Sequence, residues 1–221
     1  LTSRIPFPLE KGDKLRAYHQ MRLLGVSHDI HLIVVSNNKL NNDAKVELEK
    51  FCKSVRVYES KTSSIFTNMF ISLLNGLPFQ VGYFFNSGAH YFIHKAIKEI
   101  QPDHIFVQLI RMSEYVKHIK HIPKTIDYMD SFSMGMKRRK EKEKSIKKAA
   151  YAIESSRLKK YEETIFPFFD NHFLISQQDK ETFEFIGTDS IDVIPNGVDQ
   201  EYFSPDYSVE KKYDLIFTGN M

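Results

Sequence analysis

Residues 90–110 read His-Tyr-Phe-Ile-His-Lys-Ala-Ile-Lys-Glu-Ile-Gln-Pro-Asp-His-Ile-Phe-Val-Gln-Leu-Ile, a pattern of one helix followed by one strand that decides the fold. Apolar residues recur at helical spacing from His90 to Ile100. Pro102 and Asp103 then introduce the apolar run 105–110, which has the length and composition of a buried strand. This unit predicts a strand that packs against the helix before it.

The same alternation extends along the chain in both directions. Further strands are predicted at 30–35, 55–58, 125–129, 171–175, 191–194 and 213–217, and further helices at 12–25, 43–53, 65–74, 131–165 and 177–185. An opening strand is also expected, of which only Leu1 to Ser3 are present, so we expect this strand to have lost its start. Short strands rich in Ile, Val, Leu and Phe, separated by helices, are typical of a mainly parallel sheet with both faces covered. The sequence therefore predicts a Rossmann-like, doubly wound α/β fold.

The composition is that of an ordinary soluble globular protein. Of the 221 residues, 42% are hydrophobic and 27% are charged, and the formal net charge is +3. These values exclude disordered chains, collagen-like repeats and disulfide-stapled miniproteins. The single cysteine, Cys52, is expected to be a buried structural thiol. His90 and His94 lie four residues apart, but no third metal ligand completes the set, so we expect surface histidines and no metal.

The residues that directly follow the strands are the first candidates for a functional site, because a doubly wound sheet binds ligands beyond the carboxyl ends of its strands. They are Asn37, Asn38, Arg111, Asp130, Ser131 and Ser176. Gly12 begins the first predicted helix, where backbone amides can approach a phosphate. The alternative for Gly12 is a proline-shaped turn with a helix cap, and the sequence leaves both open.

The segment Ile194-Pro195-Asn196-Gly197-Val198-Asp199, followed by Tyr202-Phe203-Ser204-Pro205, is the most specific motif. It resembles the interdomain linker of retaining glycosyltransferases with the GT-B fold, glycosyltransferase family 4, also called group 1. The stretch 6–16 looks like the first loop of exopolysaccharide-associated bacterial sugar transferases. The stretch 75–84 is also similar, as is Tyr128-Met129-Asp130-Ser131 with the basic helix and Glu162 that follow.

The resemblance implies a domain organisation. Residues 1–195 are expected to form the amino-terminal, acceptor-side Rossmann-like domain, which is the amino-terminal half of a GT-B fold. Residues 196–212 are expected to be the interdomain linker, and residues 213–221 the first strand of a truncated carboxy-terminal, donor-binding domain. On this interpretation the chain is an inactive fragment of a longer enzyme.

The resemblance also implies the activity: transfer of a sugar from a nucleotide-diphosphate sugar to a saccharide or lipid-linked acceptor, with retention and without a metal. The reaction would serve surface polysaccharide biosynthesis in the cytoplasm and would use the nucleotide sugar as co-substrate, with no further cofactor. Arg111 would neutralise a phosphate, unless it is a solvated loop charge, and Asp130 would bind a sugar hydroxyl, unless it caps the next helix. The donor and phosphate-binding candidates are Gly12, Asp13, Lys14, Gly219 and Asn220. The alternatives are a non-catalytic module that binds sugar or lipid phosphates and a nucleotide-sugar epimerase.

The residues from Lys137 to Lys148 concentrate the positive charge, with eight basic and two acidic side chains. A solvated helix face is one explanation, and attraction to anionic lipid headgroups is another. Nucleic-acid binding is disfavoured because no aromatic residues are interleaved with the basic ones. The lipid interpretation predicts a membrane contact at Lys137, Arg138, Arg139 and Lys140, which would place the protein at the inner face of the plasma membrane.

Overall fold

A computed structural model describes residues 1–60, 72, 76–185, 187–200, 202–210 and 212–215. The strands are β1 (His31–Ser36), β2 (Ser54–Glu59), β3 (Ile105–Gln108), β4 (Lys124–Met129), β5 (Asn171–Leu174) and β6 (Ile191–Val193). The helices are α1 (Gly12–Leu24), α2 (Asn42–Leu48), α3 (Phe79–Phe84), α4 (Ser87–Ile100), α5 (Phe132–Lys142), α6 (Lys147–Ile165) and α7 (Gln177–Lys180). Short 3-10 helices lie at Ile110–Tyr115, Phe166–Phe168 and Thr188–Ser190.

All strand pairs are parallel, in one sheet of order β1-β2 and a second of order β3-β4-β5-β6. The opening residues join the two sheets. The Thr2 N–H donates to the Ile33 carbonyl and the Val35 N–H donates to Thr2, both at 3.1 Å, while the Gln108 N–H donates to the Leu1 carbonyl at 3.0 Å. Leu1 and Thr2 therefore lie between β1 and β3. The strand order reverses at this point, which makes it the topological switch point of the parallel layer. This arrangement confirms the predicted α/β class with parallel strands and is compatible with a Rossmann-like fold.

The β1 strand shows that helices cover both faces of this layer. Leu32 and Val34 pack into a cluster with Leu48 from α2 and with Cys52. Ile33 and Val35 belong to the other cluster, which includes apolar side chains of α4. Alternate residues of a strand point to opposite faces, so this division places one apolar cluster on each face. Cys52 is buried, as predicted.

The largest correction concerns the helix predicted over 131–165, which is two helices. The helix α5 ends at Lys142, and Glu143 adopts an extended conformation with ψ of 133°. The Glu143 carboxylate accepts the N–H groups of Lys144 and Ser145 at 3.0 and 2.9 Å, so these donors do not continue the helix. Repulsion among the clustered basic residues also opposes a continuous helix there. The two helices pack against each other as a hairpin with its tip at residues 143–146.

Three other predicted elements are shorter than expected. The strand predicted over 105–110 ends at Gln108, because Leu109 has a φ of 67° and begins a 3-10 turn. The helix predicted over 177–185 ends at Lys180, after which Thr182 and Phe183 donate their N–H groups in turns. The helix predicted over 43–53 spans Asn42–Leu48.

Two predicted elements lie partly outside the described residues. The apolar helix predicted over 65–74 is described only at Ser72. Of the final predicted strand, 213–217, the described residues Tyr213 to Leu215 are not in a strand. Among the described residues, no helix is long and apolar enough to cross a membrane.

Candidate functional site

A cleft of about 740 Å³ opens where the sequence places the ligand crevice, beyond the carboxyl ends of the opening segment, β1 and β3. Its basic side chains come from four separate segments: Arg4, Lys11, Lys14, Lys39 and Arg111. Among the described residues that line the cleft, one carries a carboxylate, Glu10. The amide and aromatic lining residues are Asn37, Asn38, Asn41, Gln80, Phe7, Phe79, Tyr83 and Phe84. The cleft therefore offers positive charge, amide hydrogen-bonding groups and ring faces to one ligand.

Arg111, predicted from its place after β3, is a lining residue of this cleft. Its guanidinium donates to Gln80 Oε1 at 3.0 Å and lies 4.8 and 5.0 Å from the ring centroids of Phe84 and Phe132. Its Nε is buried and has no hydrogen-bond partner among the described residues. Burial and, to a smaller extent, the charge of Arg4 lower the pKa of Arg111 to about 10. The group thus remains cationic at neutral pH and is fixed in position by contacts that leave its charge uncompensated.

The other basic residues of the cleft differ in how they are paired. Arg4 forms a salt bridge with Asp13. Lys14 Nζ lies 3.5 Å from a Glu10 carboxylate oxygen. In the described part of the chain, Lys11 and Lys39 have no carboxylate within 4.0 Å, and neither has Arg111. The positive charge of the cleft therefore exceeds its negative charge.

The candidate phosphate-binding residues divide between the cleft and the underlying scaffold. Lys14 lines the cleft, whereas Gly12 and Asp13 are not lining residues. Asp13 accepts from Arg4, and its backbone carbonyl accepts from the Gln108 side chain at 2.8 Å, so Asp13 fixes the first turn of α1. A Cβ added at Gly12 would meet no atom within 4 Å, so no close backbone approach requires glycine there. Gly219 and Asn220 lie outside the described residues.

Asp130 lies beyond β4 and is not a lining residue of the cleft. It does not cap α5 either, because Ser131 provides the side-chain oxygen that accepts the Met134 N–H at 3.3 Å. Partial desolvation and the nearby Asp179 raise the pKa of Asp130. The structure therefore does not bring Asp130 together with Arg111 in the cleft.

Near Asp130 lies a buried charged cluster centred on Asp127. One Asp127 oxygen accepts from Arg16 at 2.7 Å and from Gln20 at 2.8 Å. Arg16 also donates to Asn196 at 3.0 Å, and its other terminal nitrogen is buried without a partner among the described residues. This contact gives Asn196 of the linker motif a structural role, since it ties the segment after β6 to α1.

Comparisons with known protein families, curated proteins and solved structures found no match to this chain.

The described residues contain no cluster of three or more His, Cys, Asp or Glu side chains arranged to hold a metal ion. His94 Nε2 donates to the Tyr115 carbonyl at 2.9 Å, and the His94 ring stacks on that of His90 with centroids 4.1 Å apart. The two predicted surface histidines are thus half-buried and packed against each other.

The basic segment occupies the α5–α6 hairpin. Lys137, Arg138 and Arg139 are exposed, and Lys140 is half-buried. Within the described residues, no carboxylate lies within 4.0 Å of any cationic group from Lys137 to Lys148. At the tip, Ile146 has 91% of its surface exposed. The hairpin therefore combines unpaired positive charge with an exposed apolar side chain.

Several cleft residues were not identified from the sequence. Lys11 lies in the opening loop beside the nominated Gly12, and Lys39 follows Asn37 and Asn38, so both had a positional signal. Gln80 and Tyr83 lie in the stretch 75–84 that the resemblance covers, but no strand end marks them, because their helix comes into the cleft through a tertiary contact. That contact is made by Glu154 of α6, whose carboxylate accepts the N–H groups of Phe79 and Gln80 at 2.9 and 3.0 Å.

Proposed function

We propose that this chain provides the acceptor-side domain of a retaining glycosyltransferase, which moves a sugar from a nucleotide-diphosphate sugar to a saccharide or lipid-linked acceptor. The observation that carries the proposal is the cleft beyond the carboxyl ends of the opening segment, β1 and β3. Amide side chains and exposed ring edges are the groups that hold saccharides, and the cations suit a phosphorylated partner. The linker-like motif around Asn196 and the opening loop support the same interpretation.

The cleft residues have distinct roles in this proposal. Asn37 and Asn38 follow β1 and offer donors and acceptors to sugar hydroxyls. Tyr83 and Phe84 form an apolar wall against which a sugar ring can pack. As the glycosidic bond breaks, negative charge grows on the departing diphosphate, and Arg111 and Lys14 would stabilise anionic oxygens in the cleft. Asp130 is retained as a catalytic candidate only through the resemblance.

The test uses the protein expressed at its natural length. It is incubated with a panel of radiolabelled nucleotide sugars, with and without lipid extract from its own cells, and transfer to extractable lipid or saccharide is measured. We expect transfer from one donor class, with retained anomeric configuration in the product. Arg111→Gln should reduce kcat/KM by about 10- to 1,000-fold, as losses of a charge-stabilising group do.

The control variant is Lys120→Gln, which removes an exposed lysine that precedes β4 at the opposite end of the sheet. It should leave turnover unchanged. Saccharide or phosphate binding without transfer from any donor would favour the non-catalytic binding module instead. Consumption of free nucleotide sugar without acceptor, with conversion of the sugar, would favour the epimerase.

We also propose that the α5–α6 hairpin attaches the protein to anionic membrane, where a lipid-linked acceptor would lie. The hairpin supplies unpaired basic residues and, at its tip, the exposed Ile146. Basic residues near an anionic surface each contribute about 1 kcal/mol.

Co-sedimentation with vesicles tests the membrane proposal. We expect binding to vesicles of phosphatidylcholine with about 30% phosphatidylglycerol. We expect no binding to vesicles of pure phosphatidylcholine. Reversing the charges of Lys137, Arg138, Arg139 and Lys140 to glutamate should abolish binding. Reversing Lys98 and Lys120, two exposed lysines elsewhere, should weaken it far less per charge. Equal binding to neutral vesicles would contradict the proposal.

A further inference from the structure

The helix α3 forms one wall of the cleft and carries Gln80, Tyr83 and Phe84. It has six residues, and isolated helices shorter than about 12 residues are marginal in water. Its first N–H groups have no acceptor within the helix, and the preceding Pro78 supplies no side-chain cap. The position of this wall therefore depends on side chains from other elements.

Glu154 of α6 is the side chain that fixes the start of α3. Its two carboxylate oxygens accept the N–H groups of Phe79 and Gln80 at 2.9 and 3.0 Å, one oxygen for each amide. The Glu154 residue is 5% exposed, so little water reaches this place to act as the acceptor instead. Arg157, one turn further along α6, has its guanidinium 5.4 Å from the Phe79 ring centroid. The first turn of α3 is thus attached to one face of α6.

Tyr115 fixes the other end of α3 and is 1% exposed. Its hydroxyl donates to the Phe84 carbonyl and accepts the Asn86 N–H, the latter at 3.0 Å. Neither Glu154 nor Tyr115 is a lining residue of the cleft. The wall is therefore positioned from behind, at both of its ends.

The two attachments determine where the ligand-facing side chains of α3 lie. Gln80 Oε1 accepts from the Arg111 guanidinium at 3.0 Å. The Tyr83 hydroxyl lies 3.4 Å from the amide nitrogen of Asn37, which follows β1. A displacement of α3 would change both distances, and a misplacement of about 1 Å caused by a change far from the chemistry can cost about 100-fold in rate. Glu154 therefore acts on the groups around a ligand through the backbone of α3.

We propose that Glu154 is a positioning residue of the cleft, which fixes α3 where Gln80 and Tyr83 face a bound ligand. The inference rests on the proposed function for the reaction that measures its effect. The role belongs to Glu154 because one carboxylate serves both amides at the start of the wall. Loss of either oxygen leaves a buried N–H group without an acceptor.

Glu154→Gln tests the role by steady-state kinetics of the full-length protein, with lipid extract from its own cells as the acceptor and the nucleotide sugar that supports transfer. Glutamine keeps the shape of the side chain, but its amide nitrogen would face an N–H donor, so one amide of α3 loses its acceptor. We expect the half-saturating amount of extract to rise by about 10- to 100-fold. A merely structural role would reduce the amount of folded enzyme, which lowers the apparent kcat and leaves half-saturation unchanged.

A fluorescence measurement follows α3 without any reaction. The chain contains no tryptophan, so Phe79→Trp places a single indole at the start of α3. In this background Glu154→Gln should raise the acrylamide quenching constant of the indole by about twofold, because the wall is less firmly attached. If Glu154→Gln does not fold, Tyr115→Phe removes the attachment at the other end of α3 and should change half-saturation in the same direction.

Ser155→Ala is the matched control. It removes a hydrogen bond of the same helix, from the Ser155 hydroxyl to the Ser133 carbonyl at 2.9 Å, which does not involve α3. It should change neither the quenching constant nor the half-saturating amount of extract.

Unchanged half-saturation and unchanged quenching in folded Glu154→Gln would overturn the inference, and so would a fall in apparent kcat alone. These results are separable from the outcome for the proposed function. Absence of sugar transfer from any donor, with quenching raised by Glu154→Gln and not by Ser155→Ala, would remove the transferase and keep the positioning role. Sugar transfer with normal half-saturation in folded Glu154→Gln would keep the transferase and remove the positioning role.

Discussion

The stability of the protein should depend on the ionisation of one buried carboxyl, that of Glu162. Its side chain is 3% exposed, and its Oε1 accepts the Ser133 N–H at 3.0 Å. Burial raises the pKa of Glu162 from 4.5 to about 7. Between these two values the unfolded chain is ionised while the folded one still holds its proton, so the free energy of unfolding falls as pH rises. The slope is about 1.4 kcal/mol per pH unit, and the total loss by pH 8 is about 3 kcal/mol.

Glu162→Gln removes this term, because glutamine is neutral at every pH and its oxygen can still accept from Ser133. Urea unfolding of both proteins at roughly pH 4, 5, 6, 7 and 8 gives the difference in unfolding free energy at each pH. We expect a difference near zero at the lowest pH and a gain for the variant of about 3 kcal/mol above pH 7.

The comparison between variant and parent is necessary because His172 acts in the opposite direction. Burial lowers the pKa of His172 from 6.5 to about 4. Between these values His172 is protonated in the unfolded chain and neutral in the folded one, so the free energy of unfolding decreases as pH falls. The contributions of these two groups to the unfolding free energy nearly cancel between pH 4.5 and 6.5 in the parent protein. A variant that follows the parent in parallel from the lowest to the highest pH would refute the buried-carboxyl reasoning.

Three further predictions concern packing and reactivity. Asp127→Ala should lower the free energy of unfolding by about 3–5 kcal/mol in urea titrations, because it leaves the buried Arg16 without its carboxylate; a loss under about 1 kcal/mol would contradict this. Gly25→Ala should cost about 1–3 kcal/mol, because the added Cβ would lie 2.6 Å from the Phe51 carbonyl oxygen, while the matched Gly12→Ala should cost nothing measurable in the same assay. Burial raises the pKa of Cys52 to about 11, so the rate of thiol labelling at roughly pH 8 should follow the rate of global unfolding. Rapid labelling of the folded protein would contradict this prediction.

The fold was largely predictable because its signals are local. The strands β1 and β3 read as short apolar runs, and the helix over 87–100 carries a clear apolar stripe with Asn86 as its cap. What local pattern could not show was the break after Lys142, since the residues on both sides are good helix formers. The break depends on Glu143 accepting nearby N–H groups and on repulsion among like charges.

The candidate site was predictable where its residues follow strands, and at Lys14, which the resemblance named and which lines the cleft. Arg111 and the asparagines after β1 were found in this way, because parallel strands bring their carboxyl ends to one edge. The same rule nominated Asp130, which stands beyond β4 outside the cleft lining. The position of a residue after a strand places it at an edge of the sheet but does not show whether it lines the cleft. Near Asp130, the helix α1 packs against β4 through the buried contact of Arg16 with Asp127.

The helix α6 connects the two surfaces for which functions are proposed. Its Glu154 accepts both N–H groups at the start of α3, whose Gln80 in turn fixes Arg111 in the cleft. One further face of the same helix holds the start of the basic helix α5 through Glu162. Carboxylates that accept helix N-terminal amides resist displacement, because moving them leaves buried donors unsatisfied. Glu154 and Glu162 therefore tie α6 both to the cleft wall around Arg111 and to the start of the basic helix α5.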